Sequence, residues 1–73
     1  MLLMTTQDVM QYLSVSRDYV RWLRQYNLLK MWKMGNKWRT SLEDVNDFLE
    51  LTRGSDLSGR GDVIQFALTH HLI

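Results

Sequence analysis

The chain has 73 residues, no cysteine and no proline, and 45% of its residues are hydrophobic. A chain this short folds around one core and buries roughly 60% of its unfolded surface, so a walled catalytic pocket is not expected. Disulfides and thiolate metal sites are excluded, and a reducing compartment fits the missing thiols.

The opening Met1-Leu2-Leu3-Met4 has no basic flank, and no apolar run approaches the roughly 18 residues of a membrane span. A soluble, cytoplasmic protein with no membrane partner is expected. The formal net charge of +1 conceals a strong asymmetry. Residues 14–40 carry Arg17, Arg21, Arg24, Lys30, Lys33, Lys37 and Arg39 against Asp18 alone, a local +6. Residues 41–51 carry Glu43, Asp44, Asp47 and Glu50 with no base, a local −4. A polyanion responds to the field of a patch rather than to total charge, which marks the central third as the candidate contact surface.

Thr5-Thr6-Gln7-Asp8 reads as a helix start, with a threonine hydroxyl for an orphan N–H and Asp8 near the positive end of the dipole. Val9, Met10 and Leu13 then form an apolar face, and the helix is expected to stop at Ser14-Val15. Ser16 caps a second helix over 17–25. Tyr19, Val20, Leu23 and Tyr26 share one of its faces, Arg17, Arg21 and Arg24 another, and Asp18, Trp22 and Gln25 a third. Asn27 suits its end, because asparagine tolerates the left-handed conformation that follows a last turn. Two short helices joined through Ser14-Val15-Ser16 have the geometry of a helix-turn-helix.

Gly35-Asn36 separates two runs, 30–34 and 37–40, rich in lysine, methionine and tryptophan. Glycine first suits a type II′ hairpin, which sets Lys33 opposite Trp38 and Trp32 opposite Arg39. A one-residue slip would exchange the faces, and the turn alone does not forbid it. Ser41 caps a third helix with Asp44 three residues on, and Leu42, Val45, Phe48 and Leu49 form the expected buried stripe. Residues 52–61 hold three glycines and two serines and read as a flexible linker. A short amphipathic tail helix is expected over 62–73, with Asp62 and Gln65 at cap spacing and Ile64, Ala67, Leu68 and Leu72 along one side. That tail could dock on its own domain, pair with a partner, or stay disordered alone. Ile64, Leu68 and Leu72 are its candidate partner-binding residues. The fold class is mainly α with a small β-hairpin wing, a winged helix-turn-helix over 4–51 plus the C-terminal helix.

Met4-Thr5-Thr6-Gln7-Asp8-Val9, Tyr12-Leu13-Ser14-Val15-Ser16-Arg17-Asp18, Val20, Leu29, Met34-Gly35-Asn36-Lys37-Trp38-Arg39 and Ser41-Leu42-Glu43-Asp44-Val45 follow in one order and spacing. In these pieces the segment 4–51 resembles the excisionase and MerR-like winged helix-turn-helix DNA-binding family. Asn27 stands where that family usually has glycine. Leu28-Leu29 replaces a more polar approach to the wing, which either enlarges the core or leaves an exposed apolar spot. The resemblance implies an excisionase-like recombination directionality factor that bends duplex DNA beside an attachment site to assist an integrase, with integrase or further copies of itself as added partners. A small transcriptional regulator of the same fold is the alternative, and a protein-interaction adaptor is the alternative of another class.

A groove-entering helix reads base edges with its N-terminal residues, while its flanks and the wing meet phosphates. Ser16, Arg17 and Arg21 are therefore the candidate base readers. Arg24, Lys33, Lys37 and Arg39 are the candidates for phosphate or the minor groove. Trp38 is expected to pin the wing to the helices, with Trp22 under the wing or against a sugar. Tyr19 either bonds phosphate or covers the core edge. Arg39 either meets DNA or pairs with an acid of the third helix, and Arg17 has Asp8 or Asp18 as alternative partners. No catalytic residue, metal site or cofactor is expected. His70 and His71 are adjacent and on a helix point about 100° apart, so they cannot share one metal as an i, i+4 pair would. The carboxylates of the third helix have no nucleophile or histidine near them in sequence. Arg60-Gly61-Asp62 spells a cell-adhesion tripeptide by chance.

Overall fold

The computed structural model describes residues 2–73; Met1, part of the short apolar start, lies outside them. Seven elements follow one another: β1 (Leu3–Thr5), α1 (Thr6–Leu13), α2 (Arg17–Gln25), β2 (Trp32–Met34), β3 (Lys37–Ser41), α3 (Leu42–Leu51) and α4 (Arg60–Thr69). This is a winged helix-turn-helix, four helices with a small antiparallel sheet, as expected. The sheet has three strands in the order β1-β3-β2, one more than the hairpin alone. β1 pairs with β3 through Leu3↔Ser41, Met4↔Thr40 and Thr5↔Arg39, which buries Met4.

Each helix starts where a cap residue stands. Thr5 accepts from the Asp8 N–H at 3.1 Å while the Asp8 carboxylate takes the Thr5 N–H at 3.0 Å, a reciprocal capping box. Ser16 accepts from Tyr19 N–H at 3.2 Å and Ser41 from Asp44 N–H at 3.1 Å. Three helices end on a non-glycine residue in the left-handed region: Ser14 (φ 57°), Asn27 (φ 63°) and His71 (φ 58°). The next N–H then reaches back to the helix: Val15 to Met10 O at 3.0 Å, Leu28 to Leu23 O at 2.9 Å, Leu72 to Ala67 O at 2.8 Å. This Schellman geometry turns the following side chain toward the helix it closes, so Val15, Leu28 and Leu72 all join the core. Leu28 and Leu29 are both buried, which decides between an enlarged core and an exposed spot.

The hairpin register is Trp32↔Arg39, Lys33↔Trp38 and Met34↔Lys37. Gly35 has φ 68° and Asn36 a negative φ, the pattern of a type II′ turn. Thr40, fully buried in β3, donates to Lys30 O at 2.7 Å and so closes the approach to the wing.

Val9, Val20, Leu23, Leu29, Val45 and Val63 lie at the centre of the core, each with at most 1% of its surface exposed. Leu49 departs from the expected stripe of α3. It is 40% exposed, because Val45 and Phe48 already fill the space between α3 and the sheet.

The largest correction concerns the C-terminal third. Residues 52–61 do not hang free as a flexible linker. Thr52 is buried and donates to Phe48 O at 2.8 Å, Leu57 packs against the core, and the Tyr19 hydroxyl donates to Leu57 O at 2.6 Å. α4 begins at Arg60, where the Asp62 carboxylate accepts the Gly59 N–H at 3.1 Å, and ends at Thr69. Val63, Phe66 and Ala67 are its buried residues and they join the same core as α2 and α3. The expected stripe of Ile64, Leu68 and Leu72 is thus split. Ile64 is half-buried and Leu68 52% exposed, whereas Leu72 turns inward through the His71 bend. The physical reason is packing: a helix this short takes its rotation from the surface it fills, and α4 and its approach are tied to α2 through Tyr19–Leu57, Tyr26–Arg60 and Asn27–Leu72.

Candidate nucleic-acid interface

Cations from α2 and from the wing converge around Trp38. The Arg24 guanidinium lies 4.1 Å from the indole centroid and the Lys33 ammonium 5.5 Å from it. A cleft of about 150 Å³ is lined by Thr6, Arg17, Val20, Arg21, Arg24 and Trp38. Beside it runs a wider cleft of about 420 Å³, where Gln7, Asn36, Lys37 and Arg39 join Thr6, Arg17 and Trp38. Thr6, Arg17 and Trp38 belong to both, so the two clefts lie side by side on one face. Arg17, Arg21, Arg24, Lys37 and Arg39 line these clefts, and Lys33 joins them through the Trp38 ring. Lys30 does not; it lines a separate groove with Trp32, Glu43 and Asp44 of α3.

The individual side chains differ in how far they are committed. Ser16 is exposed, with its oxygen engaged as the α2 cap. Arg17 is exposed, and its Nη2 reaches Gln7 Oε1 at 3.5 Å rather than Asp8 or Asp18. The acid Asp18 goes instead to Arg21, at 3.1 Å, with both side chains more than half exposed. An exposed pair of that kind holds by about 0–1 kcal/mol, so Arg21 can exchange its partner cheaply. Lys37 is exposed at the hairpin tip, while Arg39 is half-buried and donates to Trp38 O at 3.2 Å. The alternative of Arg39 paired with an acid of α3 is not found; among the described residues the only ion pairs are Arg21–Asp18 and Arg53–Glu50.

The aromatic side chains also sort themselves. Trp38 is half-buried beneath Arg24, the wing-pinning place expected for it. Trp22 packs on the core beside Tyr19, with ring centroids 5.9 Å apart, and lies neither under the wing nor in the two clefts. Tyr19 turns its hydroxyl to the 52–61 segment, so it covers the core edge and is not presented to phosphate. Its phenol is held above the ordinary value by burial first, then by the carboxylates of Asp62 and Asp56.

Thr6, Gln7 and Asn36 were not marked by any local signal in the sequence, since polar residues at a helix start or a turn tip serve those structures anyway. Thr6 and Gln7 reach the cleft because the first turn of α1 meets the first turn of α2, and Asn36 because it stands at the hairpin tip. His70 stacks on Phe66 at 3.9 Å, its Nδ1 3.0 Å from Phe66 O. Among the described residues no group of three or more metal-ligating side chains assembles, and no helix is long and apolar enough to cross a membrane.

A family model for the helix-turn-helix domain matches residues 3–51, which span β1 to the end of α3. The chain belongs to the helix-turn-helix domain family. No curated protein and no solved structure matches it. Helix-turn-helix domains are DNA-binding modules, a family that includes excisionase-like proteins, and duplex DNA is the partner this membership implies. In such domains the second helix of the motif meets the major groove, and here that helix is α2, which carries Arg17, Arg21 and Arg24.

Proposed function

We propose that this helix-turn-helix protein binds duplex DNA sequence-specifically, with α2 in the major groove and the β2–β3 wing against the adjacent backbone. The carrying observation is the shared lining of the two clefts: Arg17 and Trp38 border both the α2 cations and the wing cations, so one duplex can meet them together. Ser16, Arg17 and Arg21 stand on the leading turns of α2 and are assigned to base edges. Arginine pairs bidentately with guanine O6 and N7, and each such contact discriminates by about 1–3 kcal/mol. Arg24, Lys33, Lys37 and Arg39 are assigned to phosphates or to the neighbouring minor groove.

The biological role assigned is that of an excisionase-like recombination directionality factor, which bends DNA and assists an integrase. The motif series from Met4 to Val45 and the family's inclusion of excisionase-like proteins support this role. Binding energy and geometry are the protein's contribution, and strand chemistry belongs to the recombinase. Bending a 20–30 bp site by 40–90° costs on the order of 1–6 kcal/mol, which occupancy of adjacent sites offsets.

Selection of bound fragments from a random duplex library, followed by measurement of affinity against salt and of the bend, tests the proposal. The expected slope of log K against log salt corresponds to about four to six phosphate contacts at about −0.9 each. Bent complexes that shift a purified integrase toward excision are expected. Binding that is absent at low salt removes the DNA role and favours a protein-binding adaptor. Specific binding without bending or any effect on an integrase removes the directionality role and leaves a regulator that acts by occupying its site.

A further inference from the structure

Arg24 stands on a ridge between two unlike grooves. On one side is the cationic cleft with Arg17, Arg21 and Trp38. On the other is a groove of about 320 Å³ whose wall includes Asp44, Asp47 and Leu51 of α3. Those carboxylates, which share their groove with Lys30, are the acids open to the Arg24 guanidinium. It lies instead 4.1 Å from the Trp38 centroid and forms no ion pair. Lys33, from the neighbouring strand, approaches the same ring at 5.5 Å. The two cations are therefore no farther apart than about one Debye length at 0.1 M salt, ~10 Å, and repel each other. An indole is the aromatic ring that best offsets such repulsion, because its π face attracts both charges without neutralising either.

We propose that Trp38 is a positioning residue that selects the DNA-facing orientation of Arg24 and sets it beside Lys33, so that the pair grips the phosphodiester backbone where α2 meets the wing. This assignment rests on the duplex-binding reading above and adds to it the group that decides which way Arg24 points. A neutralising acid at position 38 would hold the same cations but cancel their charge toward DNA. A ring keeps the charge available. The adjoining Arg39 Nη1 donates to the Trp38 carbonyl at 3.2 Å, which ties a third cation to the same residue through its backbone. That contact survives any exchange of the indole.

The test compares the wild type with W38L, W38F and the double variant W38L/D47N, in salt-dependent duplex binding and in NMR of the Arg24 side chain without DNA. In the wild type the Arg24 methylene and guanidinium signals are expected upfield, under the indole ring current. In W38L they return toward ordinary values, and the salt slope becomes shallower by about two units, one for each cation released. W38F retains an aromatic face and is expected to keep most of the slope. W38L/D47N removes an acid that would capture the freed Arg24, and is expected to regain about one unit.

W38L that melts with the wild type yet keeps the full slope would overturn the assignment, as would Arg24 signals that do not sense the ring in the wild type. If W38L does not fold, W38F carries the test: loss of the whole slope in a folded W38F means the ring face is not what holds the cations. A wild type without duplex affinity at low salt sinks the DNA reading and this one together. A wild type that binds, with a slope indifferent to residue 38, sinks this one alone.

Discussion

The Asn27 side-chain amide donates to the backbone carbonyl of Leu72 at 2.9 Å, joining the left-handed end of α2 to the left-handed end of α4 across 45 residues of chain. One residue thus performs two tasks, closing its own helix at φ 63° and holding the C-terminus against it. Asn27→Gly keeps the conformation and loses only the hydrogen bond, so a cost of about 1 kcal/mol is expected. Asn27→Ala loses the bond and keeps a Cβ in the left-handed region without the short polar side chain that makes asparagine tolerant of it, for a total of about 2 kcal/mol. Urea unfolding of both variants measures the difference. Equal costs would mean that the left-handed turn contributes nothing.

α4 behaves as part of the core. Phe66 is 8% exposed and joins the α2–α3 core, and Phe66→Ala is expected to cost about 3–5 kcal/mol. Leu68 is 52% exposed, and Leu68→Ala is expected to stay within about 0.5 kcal/mol. Thermal melting ranks the two. A truncation after Arg53 should follow Phe66→Ala and lower stability, instead of leaving a stable winged domain with its tail removed.

Tyr19 gives the fold an alkaline limit. Its phenol is raised in the folded state above the ordinary tyrosine value of 10.0, by burial and then by Asp62 and Asp56. Below pH 10 both folded and unfolded chains keep the proton, and the contribution is fully present. As pH rises past 10 the unfolded chain ionises first and binds fewer protons, so stability falls until the folded phenol ionises too. Tyr19→Phe has no proton to lose there. Its stability relative to the wild type should therefore rise between pH 9 and 11, read by denaturant midpoints; a constant difference across that range would contradict the raised phenol.

Arg21 and Lys37 separate base reading from backbone contact. Arg21→Ala should lower affinity for the selected site by about 1–3 kcal/mol and relax the sequence preference at one position. Lys37→Ala should weaken all duplexes alike and make the salt slope shallower by about one unit. Competition binding against a mismatched duplex tells the two patterns apart. Identical losses on every sequence for both variants would remove the division of roles.

Wherever a residue and its consequence lie within one or two turns of chain, the amino-acid order by itself was sufficient. Thr5, Ser16 and Ser41 start their helices, Asn27 ends one, and Gly35-Asn36 turns the hairpin, because caps and tight turns are settled by neighbouring N–H groups and local φ; the strand register, which the turn alone left open, was fixed by the packed sheet. The concentration of cations in residues 14–40 was likewise legible before any fold was known. What tertiary structure alone decided lies farther apart in the chain. β1 exists because Leu3–Thr5 meets Arg39–Ser41, a partner that three residues cannot announce. The rotation of α4, which buries Val63 and Phe66 and leaves Leu68 outside, was set by the surface of α2 and not by a helical pattern with apolar residues on several sides. Ser14 and His71 carry no left-handed signature of their own and take that conformation because the next residue has a core to enter. The place of Arg24, over Trp38 and unpaired with Asp44 or Asp47, is of the same kind: three segments must pack before a guanidinium has a choice between an aromatic face and a carboxylate.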